Sequence, residues 1–98
     1  MSKFKFELQN VLEIRNFEQQ QAEGELAKCI AVETEINKNL EVIAMQYAAL
    51  KQQMKGSLDF SDMMSQSQYS KRLDYQKEQL LTQLAQAKIE TEEKRKIL

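Results

Sequence analysis

Histidine and proline are absent from the 98 residues, cysteine occurs once, and glycine occurs only at Gly24 and Gly56. Each shortage excludes something. Without histidine the chain lacks the commonest general base and metal ligand. A structural zinc site needs four nitrogen or sulfur ligands, and Cys29 is the sole thiol. One cysteine also rules out an intrachain disulfide and fits a reducing compartment. Sharp reversals draw on Gly and Pro for their backbone angles, so a compact fold of many short elements is disfavoured. No apolar run approaches the roughly 20 residues of a membrane span. The opening MSKFKFELQ lacks the apolar stretch of a signal peptide, so a cytoplasmic protein is expected.

Electrostatics exclude a further class. The net charge is −1, which gives no general attraction to nucleic acid or to an anionic membrane. The basic residues near Lys3 and Lys5, and near Lys94 and Lys96, are interleaved with acids or apolar residues, the pattern of a solvated helix face. Nucleic acid and direct membrane insertion are therefore not expected.

What is present is helix-forming. Gln, Glu, Lys, Leu and Ala dominate, and these residues lose little on entering a helix. Charged residues make up 30% and aromatics 7%, the balance of long helices joined by a narrow apolar seam. From about residue 4 to 55 a seven-residue repeat holds without a break. With d at Leu8, Arg15, Ala22, Cys29, Ile36, Ile43 and Leu50, the a positions are Leu12, Gln19, Leu26, Glu33, Leu40, Tyr47 and Met54. Only Arg15, Gln19 and Glu33 among them are polar. So long a heptad implies left-handed supercoiling against a partner helix.

Gly56 and Ser57 offer a stop, because Gly can take the left-handed angle at a helix C-terminus. Ser57, Asp59 or Ser61 can cap a second helix by accepting bonds from its free N–H groups. Residues 56–68 show poor periodicity and read as a turn with a ragged helix start. The seam resumes at Leu73, Lys77, Leu80, Leu84, Ala87, Thr91, Lys94 and Leu98. The expected fold is all-α: one antiparallel two-helix coiled-coil hairpin, with helix 1 about 4–55, helix 2 about 60–98 and a turn near 56–60.

Such a reversal makes paired residue numbers sum to roughly 116 at equal rise along both helices. Ile43 then meets Leu73, Ile36 meets Leu80 and Cys29 meets Ala87. Residues 4–15 overhang the second helix although they include Phe4, Phe6, Leu8, Val11, Leu12 and Ile14. Exposed apolar surface costs ~25 cal/mol per Å², so a partner or a longer natural chain is expected to cover it. The ending EEKRKIL has no helix stop signal, which favours a chain truncated at its C-terminus.

No constellation of catalytic residues emerges. The carboxylates fall on exposed helix faces with no enclosed pocket, and no glycine-rich phosphate loop is present. Neither an enzyme nor a cofactor site is expected. Cys29 sits at a seam position, where packing as a small apolar residue outweighs a redox role. Tyr47 also belongs to the seam. Tyr69 and Tyr75 lie off it and are more open to a partner role. Arg15 and Gln19 either set register or lie solvated beyond the end of the second helix.

One pattern is more specific. The opening F-x-F-x-L-x-x-V-L-x-x-R, formed by Phe4, Phe6, Leu8, Val11, Leu12 and Arg15, is followed by Glu18 and a Gln/Ala/Glu stretch. Tyr47, a Gly/Ser turn, and the step from Tyr69 to Leu73 complete it. This resembles the FliJ family, the coiled-coil stalk proteins of the bacterial flagellar type III export ATPase. The resemblance implies a hairpin like the central shaft of a rotary ATPase. Its terminal end would enter the hexameric export ATPase and promote ring assembly, while other surfaces meet the export-gate membrane protein and export chaperones. By position, Phe4, Phe6, Leu8, Leu12 and Arg15 would serve the ATPase, and Tyr69, Leu73, Gln76 and Leu80 the gate. Such a protein would sit peripherally at the cytoplasmic face of the inner-membrane export apparatus.

The alternatives are a generic coiled-coil oligomerisation or adaptor module, whose segment 4–15 pairs with a second copy, and an injectisome stalk homologue. A prefoldin-like holdase would need β-hairpins, for which no alternating strand pattern exists. A membrane-surface helix is disfavoured by the narrow seam and balanced charge.

Overall fold

Helix propensity and the heptad seam dominate the whole architecture. The computed structural model describes residues 2–56 and 59–98. It contains two α-helices, α1 (Ser2–Gly56) and α2 (Phe60–Ile97), and no strand among the described residues. They fold back on each other as an antiparallel hairpin, a rod measuring 88 × 17 × 14 Å. Glu25 pairs with Lys94 towards one end and Tyr47 with Asp74 towards the other, which fixes the direction.

The seam decides what is buried. In α1 the half-buried or buried residues are Ala22, Leu26, Cys29, Glu33, Ile36, Leu40, Ile43, Gln46, Tyr47 and Leu50. All but Gln46 occupy the a and d positions of the repeat. Ile43, Leu50 and Leu73 form the core cluster, with Tyr47 and Leu80 packed against it. A buried Leu or Ile contributes roughly 1.5–3 kcal/mol, so this short cluster supplies much of the hairpin's cohesion.

The pairing lies further along α2 than a sum of about 116 implies. Tyr47 bonds to Asp74 rather than meeting Tyr69, and Glu33 bonds to Thr91 rather than meeting Gln83. The shift is roughly one to two helical turns. Antiparallel coiled coils interleave a positions of one helix with d positions of the other. Setting like positions face to face, as in Ile36 against Leu80, misplaces the register. Ile43 and Leu73 still share the core cluster, because each knob contacts several residues of the facing helix.

The ends of the helices also differ from expectation. Gly56 is the last residue of α1, and no described glycine has a positive φ, so the left-handed cap is not used there. Ser57 lies outside the described residues. Asp59 caps α2 from an extended backbone (φ −86, ψ 136), and its carboxylate accepts a bond from the Ser61 N–H at 3.2 Å. The start of α2 is regular rather than ragged. Its seam continues upstream through half-buried Gln66 and Ser70, polar residues that carry no hydrophobic signal.

Candidate functional site

The cavities along the two helices are open or shallow, so the exposed surfaces are the candidate sites. No group of three or more His, Cys, Asp or Glu capable of holding a metal occurs among the described residues. Among the described residues, no helix is long and apolar enough to cross a membrane.

The first surface is the N-terminal part of α1. Phe4, Phe6, Leu8 and Leu12 are 69%, 73%, 51% and 51% exposed, and Val11, Ile14 and Phe17 are exposed with them. Arg15 is exposed too, and shares a shallow cavity with Glu18, Gln19, Ala22 and Ile97. The helix period of 3.6 residues sorts these side chains into two lines. Phe4, Leu8, Val11, Leu12 and Arg15 continue the seam. Phe6 and Phe17 lie on the opposite side, three turns apart, and Ile14 falls on the flank between the two lines. A helix with apolar side chains on two sides can meet more than one neighbour. The second line is visible in the 11-residue spacing from Phe6 to Phe17, a signal that a heptad reading passes over.

The second surface runs along α2. Tyr69 is 37% exposed, Gln76 is exposed and Leu80 is half-buried. Leu73 is different. At 1% exposure it is enclosed with Ile43 and Leu50, so its side chain serves the helix–helix seam and presents no open surface. Gln76 and Leu80 line an open groove of about 390 Å³ together with Asn39, Val42, Gln46 and Tyr75. Gln46 Oε1 is buried there without a hydrogen-bond partner.

Polar contacts also brace the seam, Tyr47–Asp74 on the flank away from Gln46, Thr91–Glu33 within the seam and Lys94–Glu25 on the flank that Gln46 shares. The Tyr47 hydroxyl donates to the Asp74 carboxylate. That bond, then desolvation and the Asp74 and Glu78 charges, push the Tyr47 hydroxyl up to about 12. Lys94 donates to Glu25 at 3.0 Å, and the bond and charge of Glu25 hold its ammonium above the usual lysine value, against an opposing contribution from burial. Thr91, 2% exposed, donates to Glu33 at 2.5 Å and lies 2.9 Å from the Ala87 carbonyl. Cys29 is a free, half-buried thiol within the seam.

A long antiparallel two-helix rod with an exposed apolar end has the form of a coiled-coil stalk or adaptor. The family model for the flagellar FliJ protein matches residues 4–98, and the chain belongs to that family. It is thereby a component associated with flagellar export. No curated protein and no solved structure gave a significant match.

Proposed function

We propose that this chain is the non-enzymatic stalk of the flagellar export ATPase. The N-terminal part of α1 is held inside the hexameric ring, where it promotes ring assembly and export. The observation that carries this reading is the pair of opposed apolar lines, Phe4–Leu8–Leu12 and Phe6–Phe17, with Ile14 on the flank between them, all open to solvent. A partner that surrounds the helix covers both lines, and a helix packed alongside covers one. One rod inside a ring meets its subunits unequally and so favours some of their conformations over others. Shifting such an equilibrium requires unequal affinity for the subunit states. Tyr69, Gln76 and Leu80 are the residues we assign to the export-gate membrane protein, with export chaperones as further partners. The site of action is the cytoplasmic face of the inner membrane.

The test is the hydrolysis rate and hexamer yield of a purified flagellar export ATPase with and without the chain. Stimulation that disappears in the Phe4→Ala/Leu8→Ala variant, with helix content unchanged, supports the stalk. No stimulation by the wild-type chain overturns it, and concentration-dependent self-association in its place would favour an oligomerisation module.

A further inference from the structure

At the end of the rod opposite the terminal Phe4 segment, no described residue between Leu50 and Leu73 is a leucine. Met54 meets the stretch of α2 that carries Gln66 and Ser70, polar residues at seam positions. The helices consequently leave an open groove of about 450 Å³, lined by Met54, Met63, Gln66, Ser67, Ser70 and Lys71. Around it stand large exposed side chains: Phe60 at 75%, Met63 at 57%, Met54 at 56% and Met64 at 49%. Methionine is flexible and polarisable, and surfaces rich in it adapt to varied apolar partners.

The charged residue lining this groove is Lys71, with Lys51 and Lys55 close by, and the Asp74 carboxylate one turn beyond Lys71 is taken up by the Tyr47 hydroxyl. Lys51 and Lys55 share a helix face four residues apart, and Lys51 lies three residues before Met54, within neighbour range on the helix surface. Lys71 lines the groove from the other helix. All three lysines are exposed. The acidic residues at this end are committed elsewhere: the Asp59 carboxylate caps α2, and Asp62 lines a separate cavity with Gln52, Gln53 and Gly56 and has an interaction of its own. A chain with net charge −1 thus carries a basic, methionine-rich groove at one tip.

We infer that this groove is a docking site for an acidic amphipathic helix of a partner protein. Its apolar side chains would enter the groove between Met54 and Met63 while its Asp or Glu residues face Lys51, Lys55 and Lys71. Concavity selects a helix over a flat anionic bilayer, since a groove receives a row of side chains and a bilayer offers none. Complementary charge fixes orientation and speeds encounter more than it adds affinity, and it makes binding salt-dependent.

The probe is a labelled 18-residue helical peptide with Leu at i, i+4 and i+7 flanked by Glu, compared with the same peptide carrying Lys for Glu. The full chain is labelled at its methionine methyl groups for NMR. The acidic peptide is expected to shift the methyl signals of Met54, Met63 and Met64 and to spare Met45, which is 69% exposed elsewhere on the rod. Lys51→Gln/Lys55→Gln/Lys71→Gln, three exposed changes that leave the circular dichroism unaltered, is expected to weaken binding at least tenfold. No binding, equal binding of both peptides, or an equal response at Met45 would overturn the assignment. Binding to phosphatidylserine vesicles with no response to the peptide would overturn it in favour of a lipid surface.

Discussion

Thr91 and Glu33 meet across the seam, the Thr91 hydroxyl donating to the Glu33 carboxylate at 2.5 Å. A carboxylate at an a position costs stability unless a donor reaches it. In the register summing to about 116, Glu33 would meet Gln83. The observed register gives it a hydroxyl. Thr91→Val is therefore expected to cost about 1–3 kcal/mol, the penalty for leaving a desolvated acceptor unpaired, at the lower end because Glu33 is only half-buried. Adding Glu33→Leu is expected to recover that loss or more. Urea unfolding followed by circular dichroism checks both, and additive losses in the double variant would show that the pair is not coupled.

The raised Tyr47 hydroxyl predicts alkaline behaviour. Its proton is held more tightly in the folded chain, up to about 12, than in the unfolded chain at 10.0. The stabilisation it supplies is therefore complete below pH 10 and is lost as pH rises from there through about 12. Lysines titrate in the same window, so the comparison is between wild type and Tyr47→Phe. The variant is expected to lack the Tyr47 share of the alkaline loss, as read from unfolding midpoints along a pH series.

Leu73 and Gln76 separate folding from binding. Leu73→Ala empties the most enclosed position of the core cluster and is expected to cost about 2–5 kcal/mol, with visible loss of helix content at 37 °C. Gln76→Ala removes an exposed side chain and is expected to change stability by less than about 0.5 kcal/mol. Any loss of gate binding in Gln76→Ala would then report contact, and in Leu73→Ala it would report unfolding.

Gly24 offers a gain. It lies inside α1, and a Cβ placed on it meets nothing within 4 Å. Gly24→Ala is expected to raise stability by about 0.5–1 kcal/mol through reduced freedom of the unfolded chain. A thermal melt is sufficient, and a fall in Tm would reveal a neighbour that the open space does not account for.

The helical hairpin was legible because its signal is periodic: Leu26, Ile36, Leu40, Ile43 and Leu50 recur at heptad spacing, and no proline interrupts them. Register was less so, since antiparallel pairing depends on how a and d positions interleave, which a pairing drawn face to face leaves out. Gln66 and Ser70 hid for a different reason. They occupy seam positions without being apolar, so a hydrophobic pattern cannot find them, and the methionine groove they open stays hidden with them. The N-terminal apolar segment announced itself through Phe4, Phe6 and Leu8. That its apolar residues form two opposed lines emerges once 3.6 residues per turn, not seven per two turns, is applied to Phe6 and Phe17.

Gln46 and Tyr47 are adjacent in sequence and lie on opposite flanks of the seam. On one flank the Tyr47–Asp74 bond ties the helices together, and on the other the groove at Gln46 leaves them apart. Mechanically, the middle of the rod resembles a beam laced along one edge and slack along the other. A sideways load then has an easy direction, which narrows the groove at Asn39, Val42 and Tyr75, and a hard one, which stretches the laced edge. Bending of this middle stretch that closes the Gln46 groove is therefore expected to be easier than bending that stretches the Tyr47–Asp74 edge.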